Sequence, residues 1–211
     1  MRRGATERAC YFELKATMFA IVPKSFSRIL LSCAVMLASL PALAQQVPDE
    51  QDIEVHAKKV ANLIVIDVSF MVQATPRQAW DVLVDYDRMT EFLPNLQLSK
   101  IISKTANRLQ VAQKGGASKG PITISFDVVR DVHLTPYSEV VSHVVSGDLK
   151  KVDGITRVSK EGDGTRITFH SESIPNVWVP PGIGTTLIEN ETRGQFRDIR
   201  GEILKRKNAL K

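Results

Sequence analysis

Acid/base chemistry in this 211-residue chain would fall first to His133, His143 and His170 and to the carboxylates Asp85, Asp87 and Glu91. A general base must reach the proton it takes and titrate near the working pH, which favours imidazoles and paired carboxylates. His170 shares strand parity with Arg166, Thr168 and Glu172, while Ile167 and Phe169 point the other way, so it is expected to face solvent. His143 alternates with Val141 and Val145; a satisfied half-buried position is expected, with a cavity-facing one as the alternative. Asp85, Asp87 and Glu91 fall at helix ends, where capping and the helix dipole explain acidic residues without catalysis. No His pair has metal-binding spacing and there is no His-Glu-x-x-His run, so neither a metal nor a cofactor is expected. The run Gly115-Gly116-Ala117-Ser118-Lys119-Gly120 lacks phosphate-loop spacing and reads as a hairpin loop. Residues 173–185 place Val177, Trp178, Val179 and Ile183 among Pro175, Pro180, Pro181, Gly182 and Gly184. Such an apolar loop suits a gate or a wedge touching a bilayer interface, where Trp is favoured; plain packing over the end of a sheet is the alternative.

The elements that would position these groups begin after an N-terminal segment. Met18 is a better start than Met1; Lys24 and Arg28 precede an apolar run at 29–40, and Ala42-Leu43-Ala44 offers small-x-small cleavage. The run is shorter than the roughly 20 residues of a membrane span. Export with cleavage after Ala44 is therefore expected, giving a periplasmic or secreted protein. Six of the 28 basic and two of the 23 acidic residues precede Gln45, which leaves the mature chain at a net charge of +1 and gives no reason to expect nucleic acid. Cys10 and Cys33 are lost with the same segment, so stability must come from packing.

Residues 45–57 read as a flexible leader and 58–211 as one domain. Residues 58–72 alternate apolar and polar as one long strand. Thr75 and Pro76 open a short helix with Ala79, Trp80, Leu83 and Val84 on one face, and a second short helix carries Met89, Phe92 and Leu93 up to Pro94. Six β-branched-rich segments follow, at 96–104, 108–114, 122–132, 139–145, 151–160 and 165–173, joined by turns short enough to force an antiparallel meander. A final helix runs from Thr185 or Thr186 to about Leu210, with Phe196, Ile199, Ile203 and Leu210 on one face and Arg193, Arg197, Arg200 and Lys207 on the other. The expected fold is α+β: a curved antiparallel sheet of about seven strands, two short helices after the first strand and a long C-terminal helix.

This order resembles the helix-grip fold of the START-like (SRPBCC) superfamily, and within it the polyketide cyclase/dehydrase and coenzyme Q-binding branch. The residues that carry the resemblance are Thr75-Pro76 with Ala79-Trp80-Asp81-Val82-Leu83, Asp85-Tyr86, Glu91-Phe92-Leu93-Pro94-Asn95, Ser146-Gly147-Asp148-Leu149 with Gly154, and Gly164-Thr165-Arg166-Ile167. It spans about residues 60–204. The resemblance implies a tunnel between sheet and last helix that holds an apolar small molecule, a lipid or a quinone without covalent attachment. Its expected lining is Phe92, Leu93, Val111, Ile124, Phe126, Phe169, Trp178, Ile183, Phe196, Ile199 and Ile203. A cyclase or dehydratase is the alternative, with His143, Tyr137 and Arg157 as acid/base or oxyanion groups; a partner-binding module without a cavity is a third reading. Members of the quinone-binding branch work on the inner face of a respiratory membrane, whereas this signal sequence directs the domain outward. The Lys205-Arg206-Lys207 run with Lys211 suits transient contact with anionic headgroups.

Overall fold

The computed structural model describes residues 53–119, 122–174 and 183–210, with side chains described outside 117–124 and Ile183. The chain divides into two units, Met1–Ala44 and Gln45–Lys211, and everything that follows concerns the second.

Eight antiparallel strands form one sheet: β1 (Ile53–Val60), β2 (Leu63–Val72), β3 (Leu96–Lys104), β4 (Arg108–Lys119), β5 (Ile122–Thr135), β6 (Glu139–Gly147), β7 (Lys151–Glu161) and β8 (Gly164–Ile174). Their spatial order is β1-β2-β8-β7-β6-β5-β4-β3, so β3 to β8 form the expected meander and β2 closes onto β8. The helices are α1 (Pro76–Leu83) and α2 (Ile183–Ala209), with a 3₁₀ helix at Tyr86–Glu91.

The extra strand comes from the segment read as one long strand. Residues 58–72 are split by a tight turn in which Ala61 adopts φ 55°, and the two arms pair with Val60 opposite Leu63. Ala61-Asn62 lacks the glycine that usually marks such a turn, so alternation ran through it unbroken. β1 begins at Ile53, and 53–57 therefore belong to the sheet rather than to a leader: Ile53 and Val55 are buried and pair with Phe70 and Val68. The Ala57 amide donates to Glu189 Oε1 of α2 at 2.9 Å.

Residues 115–119 are not a loop. They extend β4, pairing with β5 as far as Lys119 opposite Ile122. Gly115 fits because the Asn95 carbonyl lies against it: a Cβ there would sit 2.4 Å from that oxygen, and Gly116 donates to the same carbonyl at 3.0 Å.

The first helix starts as its residues dictate. Gln78 N–H donates to Thr75 Oγ1 at 3.3 Å and Gln78 Oε1 accepts from Thr75 N–H at 2.9 Å, a reciprocal capping box with Pro76 in the first turn. Ala79, Trp80, Val82 and Leu83 are buried. The acidic residues after it do other work than capping. Asp85 precedes the 3₁₀ helix without a side-chain cap and instead accepts from Arg206 of α2 at 2.6 Å. Asp87 accepts from the Ile101 amide at 2.8 Å, tying this helix to β3, and Glu91 pairs with Arg88.

On α2, Phe196, Ile199 and Ile203 are buried, and Phe196 stacks on Phe70 and Phe169 with centroids 5.7 and 5.3 Å apart. Arg200, expected on the polar face, is only 5 % exposed, since it borders Ile199 and Ile203 on the same side of the helix. Leu210 is 79 % exposed because the helix ends at Ala209 and its periodicity no longer applies.

Candidate ligand cavity

The inner face of the sheet follows from strand parity. On β5, Phe126, Val128, Val132 and Leu134 point toward the helices, while Asp131 and His133 point outward. The same rule puts Leu109, Val111 and Gln113 of β4, Ser142 of β6, Gly154 and Val158 of β7, and Ile167 and Ser171 of β8 on the inner face. Most of this surface is filled: Val111, Val132, Ile167 and Ile203 are fully buried in one cluster with α1 and α2.

At one end the packing opens. A cavity of about 240 Å³ lies between the start of β3, the end of β4, Phe126 and the first half of α2. Leu93, Leu96, Phe126, Leu187 and Ile188 supply its apolar wall, and Asn95, Glu191, Thr192 and Gln195 its polar rim. Asn95 Nδ2 donates to Glu191 Oε2 at 2.9 Å across that rim, holding the sheet end to the helix. The volume is just below the roughly 300–1,000 Å³ usual for small-molecule sites, and the combination of apolar wall and few polar groups is what such sites share. A wider, open groove of about 630 Å³ follows the seam of β1 and α2, where Glu54, His56, Asn190, Arg193 and Arg197 share the lining with Ile53 and Val55.

Of the residues expected to line a tunnel, Leu93 and Phe126 are among those that border this cavity. Val111, Phe196, Ile199 and Ile203 are packed into the core and Phe169 against it, while Phe92 is half-buried with the Arg206 guanidinium 5.6 Å from its ring centre. Ile124 lies on β5 opposite Ala117 and Ile183 opens α2, but their side chains fall outside the described set. Trp178 and its loop lie outside the described residues altogether.

The groups named for catalysis do not meet the interior. His143 is opposite Asp131 on the outer face, 42 % exposed, with Nε2 3.9 Å from that carboxylate and its ring 6.0 Å from His133. Tyr137 sits in the β5–β6 turn at φ 61°, its ring 5.9 Å from Trp80. Arg157 is outward on β7 and bonds Glu139 at 2.9 Å. His170 faces outward as expected and contacts Asp67 at 2.7 Å. Among the described residues, no group of three His, Cys, Asp or Glu side chains could hold a metal ion.

Parity also reveals two polar residues inside that pattern reading overlooked. Arg130 falls on the inner face of β5 between Val128 and Val132, opposite Val111 of β4 and Val144 of β6. Burial pushes its guanidinium pKa down. Tyr86, buried at the start of the 3₁₀ helix, has its hydroxyl pushed up to about 12 by burial, against the opposing pull of Arg130. The sequence signal was a charge at an inward position of an alternating strand. A second inner polar pair is mutually satisfied, with Gln113 Nε2 donating to Ser99 Oγ at 3.2 Å.

A curved antiparallel sheet that closes on a long C-terminal helix, with a partly apolar cavity between them, defines a START-like helix-grip protein. Residues 72–199, more than half of the chain, match the family described as polyketide cyclase / dehydrase and lipid transport, and the chain belongs to that family. Solved structures share the fold. A STAR-related lipid transfer protein from Xanthomonas axonopodis superposes with TM-score 0.62 at 14% identity, covering 74% of this chain and 95% of that one. The Zhui aromatase/cyclase from a Streptomyces strain gives 0.57 at 12%, covering 68% and 95%. A START superfamily protein from Mycobacterium smegmatis gives 0.57 at 12%, covering 67% and 97%. No curated protein sequence matches the chain.

Proposed function

We propose that this chain is an exported carrier that binds a hydrophobic small molecule or lipid, without covalent attachment, between the sheet and α2. The observation that carries the reading is the cavity walled by Leu93, Leu96, Phe126, Leu187 and Ile188 at the junction of sheet and helix. Apolar enclosure supplies the affinity, at roughly 25 cal/mol per Å² of surface buried, and the Asn95–Glu191 rim is the natural place for entry. The family's lipid-transport members and the lipid transfer protein of the same fold support the same class of ligand. A quinone belongs to that class, and contact with a membrane surface through the basic end of α2 fits delivery from one.

The test is extraction of the protein, purified from its native compartment, with organic solvent and mass spectrometry of the extract. A stoichiometric apolar molecule is expected, and Phe126→Asp should remove it while the fold persists; an empty extract together with no uptake of lipids or quinones from vesicles would sink the proposal. Export is tested by fractionating cells that express the full chain and sequencing the product, which should begin at Gln45.

A cyclase-type enzyme is the second reading, favoured by the inward Arg130 and Tyr86 and by the aromatase/cyclase fold relative. These two side chains can orient a ligand or hold an anion. Neither can take a proton near neutrality, because one is a guanidinium and the other a phenol pushed up to about 12. Turnover of a poly-β-keto substrate, lost on Arg130→Gln, would replace the carrier reading.

A further inference from the structure

The carrier reading leaves open which apolar molecule is held, and a charge on the inner face that has no matching anion among the described residues bears on it. Resting on that reading, we propose that Arg130 and Tyr86 anchor the head of an amphiphile whose polar end is a carboxylate.

Arg130 is half-buried beside the buried Val111, Val128 and Val132, and a guanidinium withdrawn from water in this way is costly unless an anion matches it. Arg206, the arginine between the 3₁₀ helix and α2, obeys this rule, with Asp85 at 2.6 Å and Glu202 at 2.8 Å. Arg130 does not. Its Nε is buried without a hydrogen-bond partner, and among the described residues no carboxylate lies within ion-pair distance. The neighbouring Asp131 is on the opposite face, engaged with Arg108 and His143. The group that shares the field of Arg130 is the Tyr86 phenol, which is neutral and can donate.

Two donors and no anion make a site for an anion. A guanidinium offers parallel N–H groups that match the two oxygens of a carboxylate, and the phenol supplies a third donor. A neutral ester or ketone would leave the positive charge uncompensated. Position fits as well: Arg130 is four residues from Phe126 along the same face of β5, about 13 Å at the usual strand rise. An amphiphile with its head at Arg130 spans that distance to Phe126, the residue of the same strand that borders the apolar cavity, with its alkyl tail.

The experiment compares palmitate with methyl palmitate, identical in tail, by titration calorimetry on the purified protein at neutral pH. The acid is expected to bind about tenfold tighter or more, the fold-change of one charge-assisted hydrogen bond. Arg130→Gln should bring the two affinities within about twofold, and thermal melting confirms that this variant folds. Equal binding of both by the native protein overturns the anchor and leaves the carrier intact. Binding of neither overturns both. A preference for the acid that survives Arg130→Gln assigns the head to other residues and also overturns the proposal. If the variant does not fold, the acid-to-ester ratio of the native protein decides alone.

Discussion

Phe196 is the side chain by which α2 is held to the floor of the sheet, and its removal should cost more stability than any other single truncation on that helix. It is 6 % exposed, and its ring meets Phe70 at 5.7 Å and Phe169 at 5.3 Å, tilted by 56° and 47°. Phenylalanine-to-alanine changes in cores cost about 3–5 kcal/mol, and tilted aromatic pairs add about 0.5–1.5 kcal/mol each beyond the area they bury. With two such pairs, Phe196→Ala should fall at the upper end, about 4–5 kcal/mol. At about 2–4 °C per kcal/mol for a domain of this size, melting should drop by about 8–20 °C. Phe196→Leu keeps most of the volume and should cost about 1.5 kcal/mol. Urea denaturation followed by far-ultraviolet circular dichroism measures both, with an unchanged m-value confirming a common unfolded state. A Phe196→Ala loss below about 1 kcal/mol would mean that α2 is held by something other than this aromatic clamp, refuting the argument from core packing.

Gly115→Ala should destabilise by about 3 kcal/mol in the same assay, because the new Cβ would meet the Asn95 backbone oxygen, which cannot rotate away. Thr75→Ala should cost about 1 kcal/mol by removing the capping box, while Thr75→Ser should be nearly neutral. Acid should destabilise the domain through Glu202. Burial raises this carboxyl's pKa, but hydrogen bonds from Arg206 and Lys205 outweigh it and hold it below the usual range. A folded pKa below the unfolded one contributes stability at neutral pH that is lost as pH falls below the ordinary glutamate value, and melting curves of Glu202→Gln should be flatter over that acid limb. Asp198 works in the opposite sense: burial raises its pKa over the opposing pull of Arg197, so Asp198→Asn should raise melting at neutral pH and lose that advantage in acid.

The outline of the fold was legible because local signals agreed with the global answer. Thr75 and Pro76 announce α1, the alternation of Ile167 and Phe169 with Arg166 and His170 assigns the faces of β8, and short turns force the meander. The β1–β2 hairpin was not, because Ala61 adopts a positive φ that its residue type does not advertise. Gly115 to Lys119 read as a loop for the converse reason: the glycine answers a contact with Asn95, distant in sequence, and not a turn. Among the site residues, Leu93 and Phe126 could be inferred from periodicity. Which apolar residues fill the core and which border a cavity depends on how α2 crosses the sheet, and no local pattern carries that angle. Asp85 looked like a cap because its true partner, Arg206, is 121 positions away.

The seam between β2 and β8 has a consequence for how the chain is made. Contacts such as Asp67 with His170 join positions 103 residues apart, whereas every other pairing in the sheet links consecutive strands. Hairpins between consecutive strands can form as the chain emerges, but this seam must wait for β8, and α2 follows β8. The structural element that covers the cavity is therefore synthesised after every strand of the sheet and docks after them. Its docking sets Phe196 against Phe70 of β2 and Phe169 of β8, completing the core that the hairpins alone leave open.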